Sequence, residues 1–144
     1  MRENMGLYRG QRINNGKWIY GYLQRVTLNG MTAWIIFADA FELANGNVKA
    51  SSHAQVDPNT VGECSGIPDK NDERIFEGDI LCVTYLCQKP VTGVVSFRDG
   101  KFVVDYIRNG NAWTDTLTEV CSVLYEIIGN IHDKPDFDLR GAGT

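Results

Sequence analysis

Between Lys17 and Leu23 every second residue is aromatic: Trp18, Tyr20 and Tyr22 alternate with Ile19, Gly21 and Leu23. A two-residue period sends neighbours to opposite faces, so the run reads as a β-strand. Asn14-Asn15-Gly16 precedes it and tolerates positive φ, which predicts a hairpin between Leu7–Ile13 and Lys17–Leu28. Asn29-Gly30 then marks a second turn into the β-branched and apolar run Thr32–Phe41, giving three antiparallel strands. Alternating aromatics exceed what a solvated face carries, so Trp18, Tyr20 or Tyr22 on one side of the strand is expected in a core or an interface, core being the more frequent outcome.

The pattern loosens afterwards. Ala44–Ser52 is small and polar around Asn45-Gly46-Asn47 and is expected to be a turn or mobile loop. Val56–Gly78 carries Asp57-Pro58, Ile67-Pro68, several glycines and many charges, and reads as an irregular connector. A connector of that length in a small protein is expected to hold a helical turn, a functional surface or a subunit contact. Strand patterning returns at Asp79–Leu86, Thr92–Arg98 and Lys101–Arg108, with Asp99-Gly100 as a hairpin turn. Leu117, Val120, Cys121 and Leu124 fall at helical spacing, so one short helix is expected over 115–125, capped by Thr114, Asp115 or Thr116. A last strand, Glu126–Ile131, stops at Asp133-Lys134-Pro135, and a Gly-rich tail expected to fray follows. The fold class is therefore mostly β with one short helix. An N-terminal antiparallel region over 1–55 precedes a connector and small β-barrel over 56–144, together forming one compact unit. The turn–strand–bent-hairpin order from Ile75 to Ile131 is that of an SH3-like barrel.

Composition narrows function. The chain has 144 residues, 43% of them hydrophobic, enough for a sizeable core without staples. A net charge of −4 argues against a surface that clamps nucleic-acid phosphates throughout. Ala33–Ala38, the longest apolar stretch, is too short to span a bilayer, and the N-terminal residues lack the apolar core of a secretory signal. A cytoplasmic location without membrane association is the expectation. Cys64, Cys82, Cys87 and Cys121 are then expected as free thiols, because Cys82 and Cys87 lack the spacing of a zinc knuckle.

Candidate chemistry is sparse. Asp69, Asp72, Glu73, Glu77 and Asp79 form the densest acidic cluster, but counting from Asp69 puts Arg74 where an EF-hand needs glycine and Ile80 where it needs a bidentate glutamate. A solvated loop is the simpler reading, and no cofactor is expected. Asp69, Lys70, Asn71, Glu77 and Asp79 make a candidate interaction surface. Glu77-Gly78-Asp79 ahead of a strand reads as a structural turn, Gly supplying positive φ and Asp bonding nearby amides. Arg98, Lys101 and Arg108, interleaved with Tyr106 and Trp113, make a candidate nucleic-acid face. Neither a Gly-x-Ser-x-Gly elbow nor a phosphate-binding glycine loop is present.

Several segments in order carry a resemblance: Arg9-Gly10 through Tyr20-Gly21-Tyr22, Val56-Asp57-Pro58-Asn59-Thr60-Val61-Gly62, Gly66, Asp69-Lys70-Asn71, Ile75–Ile80, Gly93–Phe102 and Glu126–Asp133. Together they resemble the YopX family of phage and prophage proteins. Two departures stand out: Asn71-Asp72 where the family usually has Asn-Gly, and Cys64-Ser65-Gly66 where an aromatic residue commonly precedes Thr-Gly. The resemblance implies a mostly β fold and residence in a phage or prophage genome, with no catalytic residues to carry over. The expectation is a non-enzymatic phage accessory protein that binds itself and a phage or host protein. A nucleic-acid-binding small barrel is the first alternative and a metal-dependent enzyme the second.

Overall fold

The computed structural model describes residues 7–38, 41–44, 47–50 and 52–142. The chain divides into two units, Met1–Cys64 and Ser65–Thr144, so the boundary falls later than the one expected after residue 55. Thirteen strands are found among the described residues.

In the first unit, β1 (Leu7–Gln11), β2 (Trp18–Leu28), β3 (Met31–Ala38) and β6 (His53–Val56) are antiparallel neighbours in the order β6-β3-β2-β1. The expected three-stranded meander is present, and β6 adds a fourth strand that its four-residue length had hidden, its far side bridged to Arg12 at Val56. Asn29 and Gly30 both have positive φ, 52° and 77°, the geometry that lets a two-residue turn follow the strand twist. Ile19, Ile36 and Val56 form the core on one face, flanked by Tyr8, Leu23, Trp34 and Ala54. The expected loop at Ala44–Ser52 instead contains a hairpin, β4 (Phe41–Ala44) against β5 (Asn47–Ala50), with Leu43 opposite Val48. The intervening Asn45-Gly46 lies outside the described residues.

The expected irregular connector is largely ordered. Pro58–Thr60 is a 3-10 turn whose start is capped by the Asp57 side chain accepting from Asn59 N. β7 (Gly62–Pro68), whose glycines, serine and proline conceal the alternation, and the three-residue β8 (Arg74–Phe76) follow. The first residues of β7 pair with β1, Glu63 opposite Tyr8.

In the second unit, β9 (Asp79–Val83), β10 (Val91–Arg98), β11 (Lys101–Arg108), β12 (Asn111–Thr116) and β13 (Tyr125–Asn130) form an antiparallel sheet. Its order is β12-β11-β10-β9-β13, so β12 and β13 are the edges. The barrel expectation thus reduces to five antiparallel strands. Leu81, Val83, Val91, Val95, Val104 and Tyr106 pack with Ile67, Ile75, Leu117 and Tyr125 into the unit's core. Truncating a fully buried member such as Leu81 to alanine costs about 2–5 kcal/mol.

The helix expected over 115–125 is corrected. Residues 111–116 are strand, and a 3-10 helix occupies only Glu119–Leu124, with Thr118 Oγ1 accepting from Cys121 N as its cap. Leu117 is buried but Val120 is almost fully exposed, so the apolar spacing there did not define one inward face. The tail forms a short helix, α1 (Leu139–Ala142), with contacts to β10 and β11.

Candidate interaction surfaces

Among the described residues, β2 outruns its neighbours. β1 pairs with it only over Trp18–Tyr22, and β6 pairs with β3 only over Trp34–Phe37. Val26–Leu28 and Met31–Ala33 therefore have only each other as ladder partners among the described residues, and Leu23–Arg25 have only β3. The last five residues of β2, Gln24–Leu28, extend about 17 Å at ordinary strand rise. This arm is internally braced: Thr27 and Thr32 hydroxyls are 2.9 Å apart, and the Arg25 guanidinium lies 5.3 Å from the Trp34 ring centre.

Its tip is apolar and open. Leu28 and Met31, a directly opposed pair beside the turn, are 72% and 77% exposed. By period two they share a face with Tyr20, Tyr22 and Val26, all exposed, while Ile19 and Leu23 take the core side. The aromatic side of the strand is thus not the core side: Tyr20 and Tyr22 face outward, and Ile19 and Leu23 supply the core instead. Trp18 is partly covered and stacks on the buried Arg9 guanidinium, 4.8 Å away. Leu28 and Met31 were missed as candidates, although the predicted mismatch between Leu7–Ile13 and the longer Lys17–Leu28 was a legible sign of an overhang.

The acidic cluster is not one surface. Asp69 is 4% exposed and Asp79 1%, so both leave the proposed interaction face. Asp69 Oδ1 accepts from Asn71 N and Glu73 N at 2.8 and 2.9 Å, and Oδ2 accepts from Ile127 N at 3.0 Å. Its carboxylate is a backbone clamp, closing the 69–73 turn and tying it to β13. Asp72 holds φ 64° in that turn, so the family's tight turn survives without glycine. Asp79 Oδ2 accepts from Phe76 N at 2.8 Å beside Gly78 at φ 92°, the structural turn expected at Glu77-Gly78-Asp79. Lys70 and Asn71 are left on the outside, with Lys70 Nζ 2.7 Å from Glu126 Oε2. That hydrogen bond to Glu126 holds the Lys70 pKa above its ordinary value.

The basic residues also separate. Arg98 and Lys101 are opposed across the β10–β11 turn, whereas Arg108 lies seven positions beyond Lys101 and therefore on the other face. Arg98 forms a two-pronged ion pair with Asp105, and its Nη2 donates to Thr114 Oγ1 at 2.9 Å. The Arg98 hydrogen bond pulls the Asp105 carboxyl below the usual aspartate value, against a smaller effect of burial. On the opposite face, Arg108 lies over the rings of Tyr85 and Tyr106, and Trp113, opposite Tyr106, is 52% exposed. Tyr85 and Tyr106 both donate to Asp115 Oδ2, the latter at 3.0 Å. Burial and the Asp115 carboxylate raise both phenol pKa values. No single face unites Arg98, Lys101, Arg108 and Trp113.

None of the four cysteines is in a disulfide, Cys64 being buried and Cys87 exposed. No helix among the described residues is long and apolar enough to cross a membrane.

Among solved structures, the chain is similar to the crystal structure of protein EF1440 from Enterococcus faecalis, with a TM-score of 0.52 at 20% identity. The match covers 90% of this chain and 94% of that one, and at that identity it shows a shared fold. No curated protein sequence matches. The family model described as YopX protein matches residues 7–137, and with that span of the sequence accounted for, the chain belongs to the YopX family.

Proposed function

We propose that this chain is a phage or prophage accessory protein of the host cytoplasm that works by binding protein chains, a second copy of itself included, rather than by catalysis. The observation that carries the reading is the β2–β3 arm. It combines exposed leucine and methionine at its tip with strand edges that have no ladder partner among the described residues. Strand edges of this kind are templates for added strands, and proteins that keep them solvated usually protect them with prolines, bulges or several charges. The distal arm, Gln24–Ala33, has no proline and one charge, Arg25. Membership in a family whose resemblance implies phage residence supports the setting.

The test pairs light scattering with affinity purification during prophage induction, comparing the native chain with a Leu28→Glu, Met31→Glu double variant. The native chain is expected to self-associate or retain a stoichiometric, nuclease-resistant partner. The double variant, folded by circular dichroism, is expected to lose it. Unchanged association by the variant would remove the arm from the reading, and capture that disappears with nuclease would replace it with nucleic-acid binding.

A further inference from the structure

At the β9–β10 connection of the second unit, the segment Thr84–Pro90 and Leu124 line an open groove of about 790 Å³, a volume within the range of small-molecule sites. We propose that this groove binds a small organic anion with a flat apolar body. Tyr85, Leu86, Pro90 and Leu124 supply the apolar walls. The Tyr85 ring is held in place, because its hydroxyl donates to Asp115 while Tyr106 donates to the same oxygen.

The charge at the groove has one sign. The Arg108 guanidinium lies 5.7 Å from the Tyr85 ring centre and 6.0 Å from that of Tyr106, and its Nη2 is 3.4 Å from Lys89 O. Arg108 makes no ion pair among the described residues and borders the groove through its contacts with Tyr85 and Lys89, and Lys89 is the cation of the lining itself. Asp115, the carboxylate nearest these rings, has one oxygen committed to the two phenols. A planar guanidinium on aromatic rings, with one donor on Lys89 O, suits a carboxylate, sulfonate or phosphate whose apolar portion lies on Tyr85 and Leu86. This inference is independent of the arm, which belongs to the other unit.

The experiment is an amide-resolved NMR titration of the full chain with 2-naphthoate and, separately, with its neutral amide. Naphthoate is expected to shift the Thr84–Lys89 amides saturably and to bind roughly tenfold more tightly than the amide. Arg108→Gln is expected to abolish that preference without altering the remaining spectrum, and Lys89→Gln to reduce it. Equal binding of the two probes would overturn the proposal, as would shifts elsewhere on the chain or no saturation below ~10 mM. A preference that persists in Arg108→Gln would overturn it as well.

Discussion

The carboxylate of Asp69 accepts a hydrogen bond from the backbone of Ile127, 58 residues later in the chain, at 3.0 Å. Two further bonds from Asn71 and Glu73 complete its clamp on one turn. Asp69→Ala would leave these backbone donors without their acceptor in a buried setting, and is expected to cost about 3 kcal/mol or more. Asp69→Asn keeps one oxygen acceptor but turns an amide toward a donor, so an intermediate loss is expected. Urea unfolding of both variants checks the order.

Gly21 sits where the β3 backbone comes close to β2. A Cβ built there would lie 1.7 Å from Phe37 O, a backbone atom that cannot step aside without breaking the ladder. Gly21→Ala is expected to cost about 3 kcal/mol or more. Gly100→Ala meets open space and is strained only through φ +76°, so about 1–2 kcal/mol is expected. Thermal unfolding of the two variants should separate close approach from backbone handedness.

Acid should reveal the Arg98–Asp105 pair. Because the folded-state pKa of Asp105 is depressed, its contribution is fully present above the ordinary aspartate pKa of about 4 and disappears as pH falls through the lower folded value. Asp105→Asn is expected to be less stable than the native chain at pH 7, with the gap closing toward pH ~2. Denaturant midpoints across that range provide the readout.

Alkali should act in the opposite direction on the tyrosines around Asp115. Tyr85, Tyr106 and Tyr125 all have raised pKa values, burial being the first cause in each. The fold therefore favours their neutral forms: their contribution is intact below the ordinary tyrosine pKa of about 10 and falls as pH rises above it. Phenolate absorbance from these residues is expected to appear only as the second unit opens. In Asp115→Asn, Tyr85 is expected to ionise earlier, since one cause of its shift is gone while burial persists.

Much of the fold was legible because several strands carry either clean alternation or an unmistakable turn, as at Trp18–Leu23 and Asp99-Gly100. The strands that escaped are those where periodicity has no reason to be written. β6 has four residues, β12 is an exposed edge, and β7 is interrupted by glycine, serine and proline. Apolar spacing at Leu117–Leu124 suggested a helix, but Thr118 starts a 3-10 turn only after β12 has taken Asp115 and Thr116. At the site level, the opposition of Lys101 and Arg108 follows from counting seven positions along one strand. Burial of Asp69 does not, because its distant partner Ile127 is a main-chain donor that leaves no side-chain signature.

The position of β13 beside β9 sets the timetable of synthesis. Strands β9 to β12 can pair with their sequence neighbours as they emerge, but the edge of β9 must wait for residues 125–130. Until they leave the ribosome, Leu81 and Val83 lack one flanking strand and Asp69 holds two of its three bonds. Non-local pairing of this kind is the slow step in β folding, so a nascent chain stalled before Tyr125 should remain open to proteases and chaperones until translation resumes.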